Sequence, residues 1–175
     1  MRVHKSAPQE RALAKKKRGP RTNSMRLLDA HEVAYEVVTF APDIHSATGV
    51  AGVVGLDPST VYKTLVVQRP RGKPLLVMVA GDKQIDLHAL AASIGEKKLT
   101  MASHRDAEAL TGLQVGGISA LVLLNRGFDV CLDRAAQGLD RVLVSAGQRG
   151  IDVRLTVSDL VRVTAARWVD ATGEG

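Results

Sequence analysis

The chain has 175 residues, of which 45% are apolar and only 3% aromatic, with a formal net charge of +6. That length suits one domain with a short appendage, and its core must be built from Val, Leu, Ile and Ala. No apolar run approaches the roughly 18 residues that span a bilayer, and the single cysteine, Cys131, rules out an internal disulfide or a cysteine-based structural zinc site.

The charge is unevenly placed. Residues 1–21 hold eight basic side chains, among them Lys15, Lys16, Lys17 and Arg18, against Glu10 alone; the remaining chain has sixteen basic and seventeen acidic groups, a net charge of −1. The segment lacks the apolar stretch of a secretory signal and ends in Gly19-Pro20, so it is expected to be a disordered basic arm in a cytoplasmic protein. A polybasic arm attracts phosphate backbones without sequence preference, or else is a passive solvated tail. The domain is expected over 22–175.

Thr22, Asn23 and Ser24 can each cap a first helix carrying Met25, Leu28 and Ala30. A strand is expected over 35–40, then a helix over 46–54 that stops at Gly55. Asp57-Pro58 starts a short turn, with Pro suited to a first helical position. The β-branched and apolar runs 61–68 and 75–80 flank Pro70-Arg71-Gly72-Lys73-Pro74 in the form of a hairpin. A helix over 86–94 closes at Gly95, with Leu87, Leu90, Ala91 and Ile94 on one face. A short strand at 99–102 precedes a helix capped by Ser103 and ending near Gly112. Gly116-Gly117 opens an apolar stretch to Leu124, and strands follow at 128–132, 142–145 and 151–155. Ser158 is expected to cap the last helix, with Trp168 pinning the C-terminus. Helices interleave with single strands early and strands dominate late, which favours an α+β fold over a regular parallel α/β sheet.

Familiar catalytic signatures are absent: there is no Gly-x-Ser-x-Gly elbow, phosphate-binding loop or His-Glu-x-x-His helix. His4, His31, His45, His88 and His104 are scattered without metal-ligand spacing. Cys131 alternates with Asp129 and Asp133 and reads as structural. Strand alternation puts Lys63 on a face with Val61, Leu65 and Val67; by pattern alone it either snorkels outward, the favoured reading, or points its ammonium into a polar cavity. Asp152 falls opposite Ile151, Val153 and Leu155 and beside Arg154, which by pattern alone is a solvated ion pair. Gly116-Gly117 permits close backbone approach and can present amide N–H groups to an oxygen.

Four segments taken together resemble the YbaK-type aminoacyl-tRNA deacylases, a family that includes the editing insertion of bacterial prolyl-tRNA synthetases. They are Val61-Tyr62-Lys63-Thr64-Leu65, Val115-Gly116-Gly117-Ile118-Ser119, Val144 to Asp152 through Ser145-Ala146-Gly147-Gln148-Arg149-Gly150-Ile151, and the stretch from Arg26-Leu27-Leu28 to Thr39-Phe40. Gly55-Leu56-Asp57-Pro58 also sits where the family has such an element. The resemblance covers about residues 24–170 and implies a bent mixed β-sheet flanked by helices, with a small pocket for the aminoacyl-adenosine end of tRNA.

It makes Lys63, Gly116 and Asp152 the expected catalytic residues, reversing the pattern-only readings of Lys63 and Asp152. Phe40, Thr64, Gly117, Ile118, Ser119, Ser145 and Gly147 become the expected substrate-binding positions. Ser145 stands where synthetase-inserted relatives acting on alanyl-tRNA carry histidine, and resembles the free-standing cysteinyl branch. Phe40 replaces a tyrosine of several cysteinyl members, and Ala120 replaces the proline that ends the family's Gly-x-x-x-Pro pattern. The implied activity is trans-editing of Cys-tRNA(Pro), and of Cys-tRNA(Cys) as a further substrate, by attack of the substrate's own thiol. The alternatives are an Ala-tRNA(Pro) deacylase using water and a non-catalytic tRNA- or synthetase-binding module. The implied partners are mischarged tRNA(Pro) and prolyl-tRNA synthetase, with no membrane, metal or cofactor.

Overall fold

The computed structural model describes residues 21–173; the basic arm therefore lies outside the described residues, apart from Arg21, which pairs with Asp29. Helix α1 (Asn23–Ala30) is capped by Thr22, whose Oγ1 accepts from Met25 N. Of the three cap candidates Thr22 takes the role, while Ser24 is fully buried and its hydroxyl donates to Ala146 O across 2.7 Å. After β1 (Glu36–Thr39), helix α2 (Ala47–Val54) starts at the Ser46 cap and ends at Gly55 in the left-handed region. A 3-10 turn, Pro58–Thr60, is capped by Asp57.

Strands β2 (Tyr62–Gln68) and β3 (Leu75–Ala80) form the expected hairpin. Helix α3 (Leu87–Ile94) runs from the Asp86 cap to Gly95, β4 is only Thr100–Met101, and α4 (His104–Thr111) runs from the Ser103 cap to Gly112. The apolar stretch after Gly117 is buried yet forms turns rather than a regular element. Strands β5 (Asp129–Asp133), β6 (Arg141–Gln148) and β7 (Ile151–Thr156) follow. Thr156, not Ser158, caps α5 (Val157–Thr164): its Oγ1 accepts from Asp159 N, and Ser158 sits inside the first turn. Trp168 lies on the final strand β8 (Arg167–Val169).

The strands divide into two sheets. One has the order β1-β7-β6 and is antiparallel throughout; the other has the order β4-β2-β3-β5-β8, antiparallel across β4-β2-β3 and parallel across β3-β5-β8. The two sheets are linked by one parallel bridge between Val61 and Leu143. The largest core lies between them and includes Leu28, Leu76, Leu123, Leu132, Leu155 and Leu160, each essentially fully buried. A buried side chain of this size stabilises by about 1.5–3 kcal/mol. A second core lies under α3 around Val67, Val77 and Leu90, and a third packs α2 over the bridge through Val50, Ala51, Val61 and Leu143. The α+β architecture is as expected. Among the described residues no helix is long and apolar enough to cross a membrane.

Candidate active site

The short β4 covers β2 only at Val67 and Gln68. The first half of β2 is therefore an open edge, and a cavity of about 660 Å³ lies against it, reaching to β7 and to the start of α2. A cavity of that size takes a small ligand and little more.

Lys63, Gly116 and Asp152 all line this cavity, together with Phe40, Thr64, Ile118 and Ser145. Strand register explains part of the convergence. On the three-stranded sheet Asp152 faces Ser145 on β6 and Val38 on β1. The parallel bridge at Val61 and Leu143 puts Lys63 and Ser145 each two residues downstream of the same junction.

Lys63 does not snorkel into open solvent. Its Nζ donates to Lys83 O at 2.8 Å and toward Gly81 O at 3.4 Å, tying the loop after β3 to β2. Burial lowers its pKa from the usual lysine value, and Asp82 works in the other direction. Two of the three ammonium protons are thus directed at backbone carbonyls, leaving one for a ligand.

Asp152 is 6% exposed, and its carboxyl has no hydrogen-bond partner among the described residues. The pattern-only ion pair with Arg154 does not form, because Arg154 turns to Glu36. Alternation holds along β7, but both faces are covered: Ile151, Val153 and Leu155 enter the core, while the cavity wall covers Asp152. Desolvation pushes the carboxyl up to about 7. A carboxylate in that position awaits a cation or a donor from a ligand.

Gly116 has φ +90°, and a Cβ there would lie 3.3–3.5 Å from the Cα, Cβ and Cγ of His45. Only glycine takes this conformation at low cost. The Gly116 N–H has no acceptor among the described residues, whereas the Gly117 N–H donates to Gln114 O at 2.8 Å. Of the two amides, only that of Gly116 is left for a substrate oxygen.

Gly117, Ser119 and Gly147 do not line the cavity. Gly117 packs against the Gln148–Arg149 backbone, and Gly147 sits against Val122 in a bulge of β6. Ser119 is 1% exposed, and its Oγ accepts from Val122 N. Ser145 Oγ accepts from Gly147 N at 3.1 Å. Gly147 therefore supports the site by holding the serine.

Sequence reading missed several wall residues: His45, Tyr62, Asp82, Lys83 and His104. Tyr62 is deeply buried with an unpartnered hydroxyl, its phenol pushed up to about 12 by burial and the charges of Asp133 and Asp82. Cys131 lies away from the cavity wall, 2% exposed, its thiol raised to about 11 mainly by burial. Among the described residues no group of three or more His, Cys, Asp or Glu side chains is placed to hold a metal.

A bent α+β scaffold with a small cavity holding a lysine, an uncapped glycine amide and a buried aspartate defines a class, and residues 41–163 match the model of the aminoacyl-tRNA editing domain. The chain belongs to that family and is an aminoacyl-tRNA deacylase. It is 33% identical over 162 residues to an Enterococcus faecalis protein provisionally named Cys-tRNA(Pro)/Cys-tRNA(Cys) deacylase EbsC, covering 91% of this chain and 98% of that one. It is 28% identical over 133 residues to the proline–tRNA ligase of Pelobacter propionicus, covering 75% of this chain but 23% of the ligase. A solved structure described provisionally as a trans-editing enzyme for prolyl-tRNA synthetase superposes with a TM-score of 0.74 at 25% identity, over 90% of this chain and 100% of that one.

Proposed function

We propose that the protein clears cysteine from mischarged Cys-tRNA(Pro), with Cys-tRNA(Cys) as a further substrate, working in the cytoplasm beside a prolyl-tRNA synthetase. The observation that carries this reading is a cavity without an activated nucleophile of its own. Cys131 is elsewhere and protonated, and the Ser145 oxygen is braced by Gly147 N–H. Attack must then come from the substrate's thiol or from water. An aminoacyl ester is already activated, so orientation and carbonyl polarisation suffice for most of the acceleration.

In this reading the Gly116 N–H polarises the ester carbonyl, and Lys63 steadies the terminal phosphate or ribose with its remaining proton. Asp152 holds the substrate ammonium, a cation that repays the cost of its own ionisation. Phe40, Thr64 and Ile118 form the wall around the aminoacyl group. The whole-length relative named for cysteinyl substrates supports the choice of amino acid. Residues 1–21 supply phosphate contacts that a domain with net charge near −1 lacks.

A deacylation panel of Cys-, Ala-, Ser- and Pro-tRNA(Pro) tests the proposal. Cysteinyl ester is expected to be cleaved much faster than seryl, since sulfur is the better nucleophile at neutral pH. Equal rates on those two sink the thiol-assisted reading, and faster cleavage of the alanyl ester moves the protein to water attack.

A further inference from the structure

We propose that His45 is a further catalytic residue, the general base that takes the proton from the attacking thiol. Its placement carries the argument. The backbone on either side is fixed: Ile44 N donates to Ala41 O, and Ser46 caps α2 through Gly49 N. The ring itself makes no hydrogen bond or ion pair with any described residue, and it is exposed on the cavity wall. Its Cβ and Cγ lie 3.3 and 3.5 Å from where a Gly116 Cβ would be. The imidazole thus stands next to the one free amide of the glycine pair, the point at which the ester carbonyl is to be held.

The other wall groups are less suited to the task. The Lys63 ammonium is occupied by two carbonyls. Asp152 is needed as the anion that pairs with the substrate ammonium. His104, the first residue of α4, also lines the cavity, but the atoms nearest Gly116 are those of His45.

The inference rests on the deacylase reading above. In the step, an imidazole nitrogen accepts the thiol proton and the sulfur attacks the ester carbonyl carbon. A carbon–sulfur bond forms as the bond to the ribose oxygen breaks, and the imidazolium returns its proton to that oxygen. The products are uncharged-hydroxyl tRNA and a cysteine thiolactone, with no other reactant required.

The size of the effect follows from the thiol. A thiol of ordinary acidity is only a few per cent thiolate at pH 7, so a base gains at most roughly 30-fold there and only about 1.3-fold at pH 9. His45→Ala retains the Cβ that packs on Gly116 and lies at an exposed position, so folding is not at stake.

The experiment measures single-turnover cleavage of Cys-tRNA(Pro) by wild type, His45→Ala and His45→Gln from pH 6.5 to 9. Both variants are expected to be about 10- to 30-fold slow at pH 7, closing to within about threefold at pH 9. The other ionisable wall groups, Lys63, Asp82, Lys83, His104 and Asp152, are common to all three proteins, so the ratio isolates His45. A deficit that does not shrink with pH, activity restored by glutamine, or variants within about threefold of wild type at pH 7 would overturn the role. The same proteins are run on Ala-tRNA(Pro). If wild type cleaves only that ester, the cysteinyl reading fails, while the base is still tested: water attack then requires a loss of about a hundredfold or more.

Discussion

Replacing Asp152 with asparagine should make the protein more stable above neutral pH and less active. The carboxyl is 6% exposed and its pKa is raised from 3.8 to about 7 by desolvation. The unfolded chain therefore loses this proton near pH 4, and the folded protein keeps it until about 7. Between those values the folded state binds more protons, so stability falls as pH rises and levels off above about 7. At about 1.4 kcal/mol per pH unit, roughly 2–3 kcal/mol is lost between pH 5 and pH 8. For a domain of this length that is about 5–10 °C in Tm. Asparagine has no such charge, so the gap between Asp152→Asn and wild type should open by that amount over the interval. Urea or thermal unfolding of both proteins at pH 5, 6, 7 and 8 measures it, and all other titrations cancel in the difference. Parallel stability curves would show that Asp152 is not held in a desolvating site, and the argument from its burial would fail. Deacylation by the variant should drop at least about a hundredfold, as for loss of one preorganised charge contact.

Lys63→Ala should likewise lower deacylation about a hundredfold, and because Nζ holds the Gly81 and Lys83 carbonyls it should also cost about 1–3 kcal/mol in urea unfolding; full activity returns the residue to a structural role. Gly116→Ala places a side chain at φ +90° against His45 and should lose stability by about 1–2 kcal/mol as well as activity; an unaffected enzyme refutes the geometry drawn for the amide. Deleting residues 1–20, which keeps the Arg21 pair with Asp29, should weaken tRNA binding at low salt and flatten its log–log salt slope by about 2–4 units. Cleavage of saturating substrate should survive the deletion, and an unchanged slope would make the arm a passive tail.

The elements that sequence announces clearly are those with local causes. Ser46, Asp86 and Ser103 each cap the helix they precede, and Gly55, Gly95 and Gly112 each end one, because capping depends on residues three or four apart. The β2–β3 hairpin was equally legible from its Pro-Gly turn. Thr156 took the cap expected of Ser158 because a neighbouring hydroxyl served as well, a choice decided by the backbone leaving β7. The site divides in the same way. Lys63, Gly116 and Asp152 were marked by resemblance, yet the residues themselves gave no hint that Asp152 would be buried, since alternation says which face a residue takes and not whether that face is covered. His45, Asp82 and Lys83 carried no signal at all; they reach the cavity only through the packing of α2 and the Lys63 bonds to the loop after β3.

The junction of Val61 with Leu143 has a mechanical meaning. One bridge joins the two sheets, and from it Lys63 and Ser145 extend on opposite jaws of the cavity. The spacing of the jaws is therefore set at an almost wholly buried pivot, with Val61 in the cavity wall and Leu143 behind it, clamped by Val50 and Ala51 from α2. A slightly larger or smaller side chain at Val61 or Leu143 would change the gape of the whole mouth at once, as the pin of a pair of pliers does. The width of the pocket is thereby tied to Leu143, a side chain that is wholly buried and does not line it.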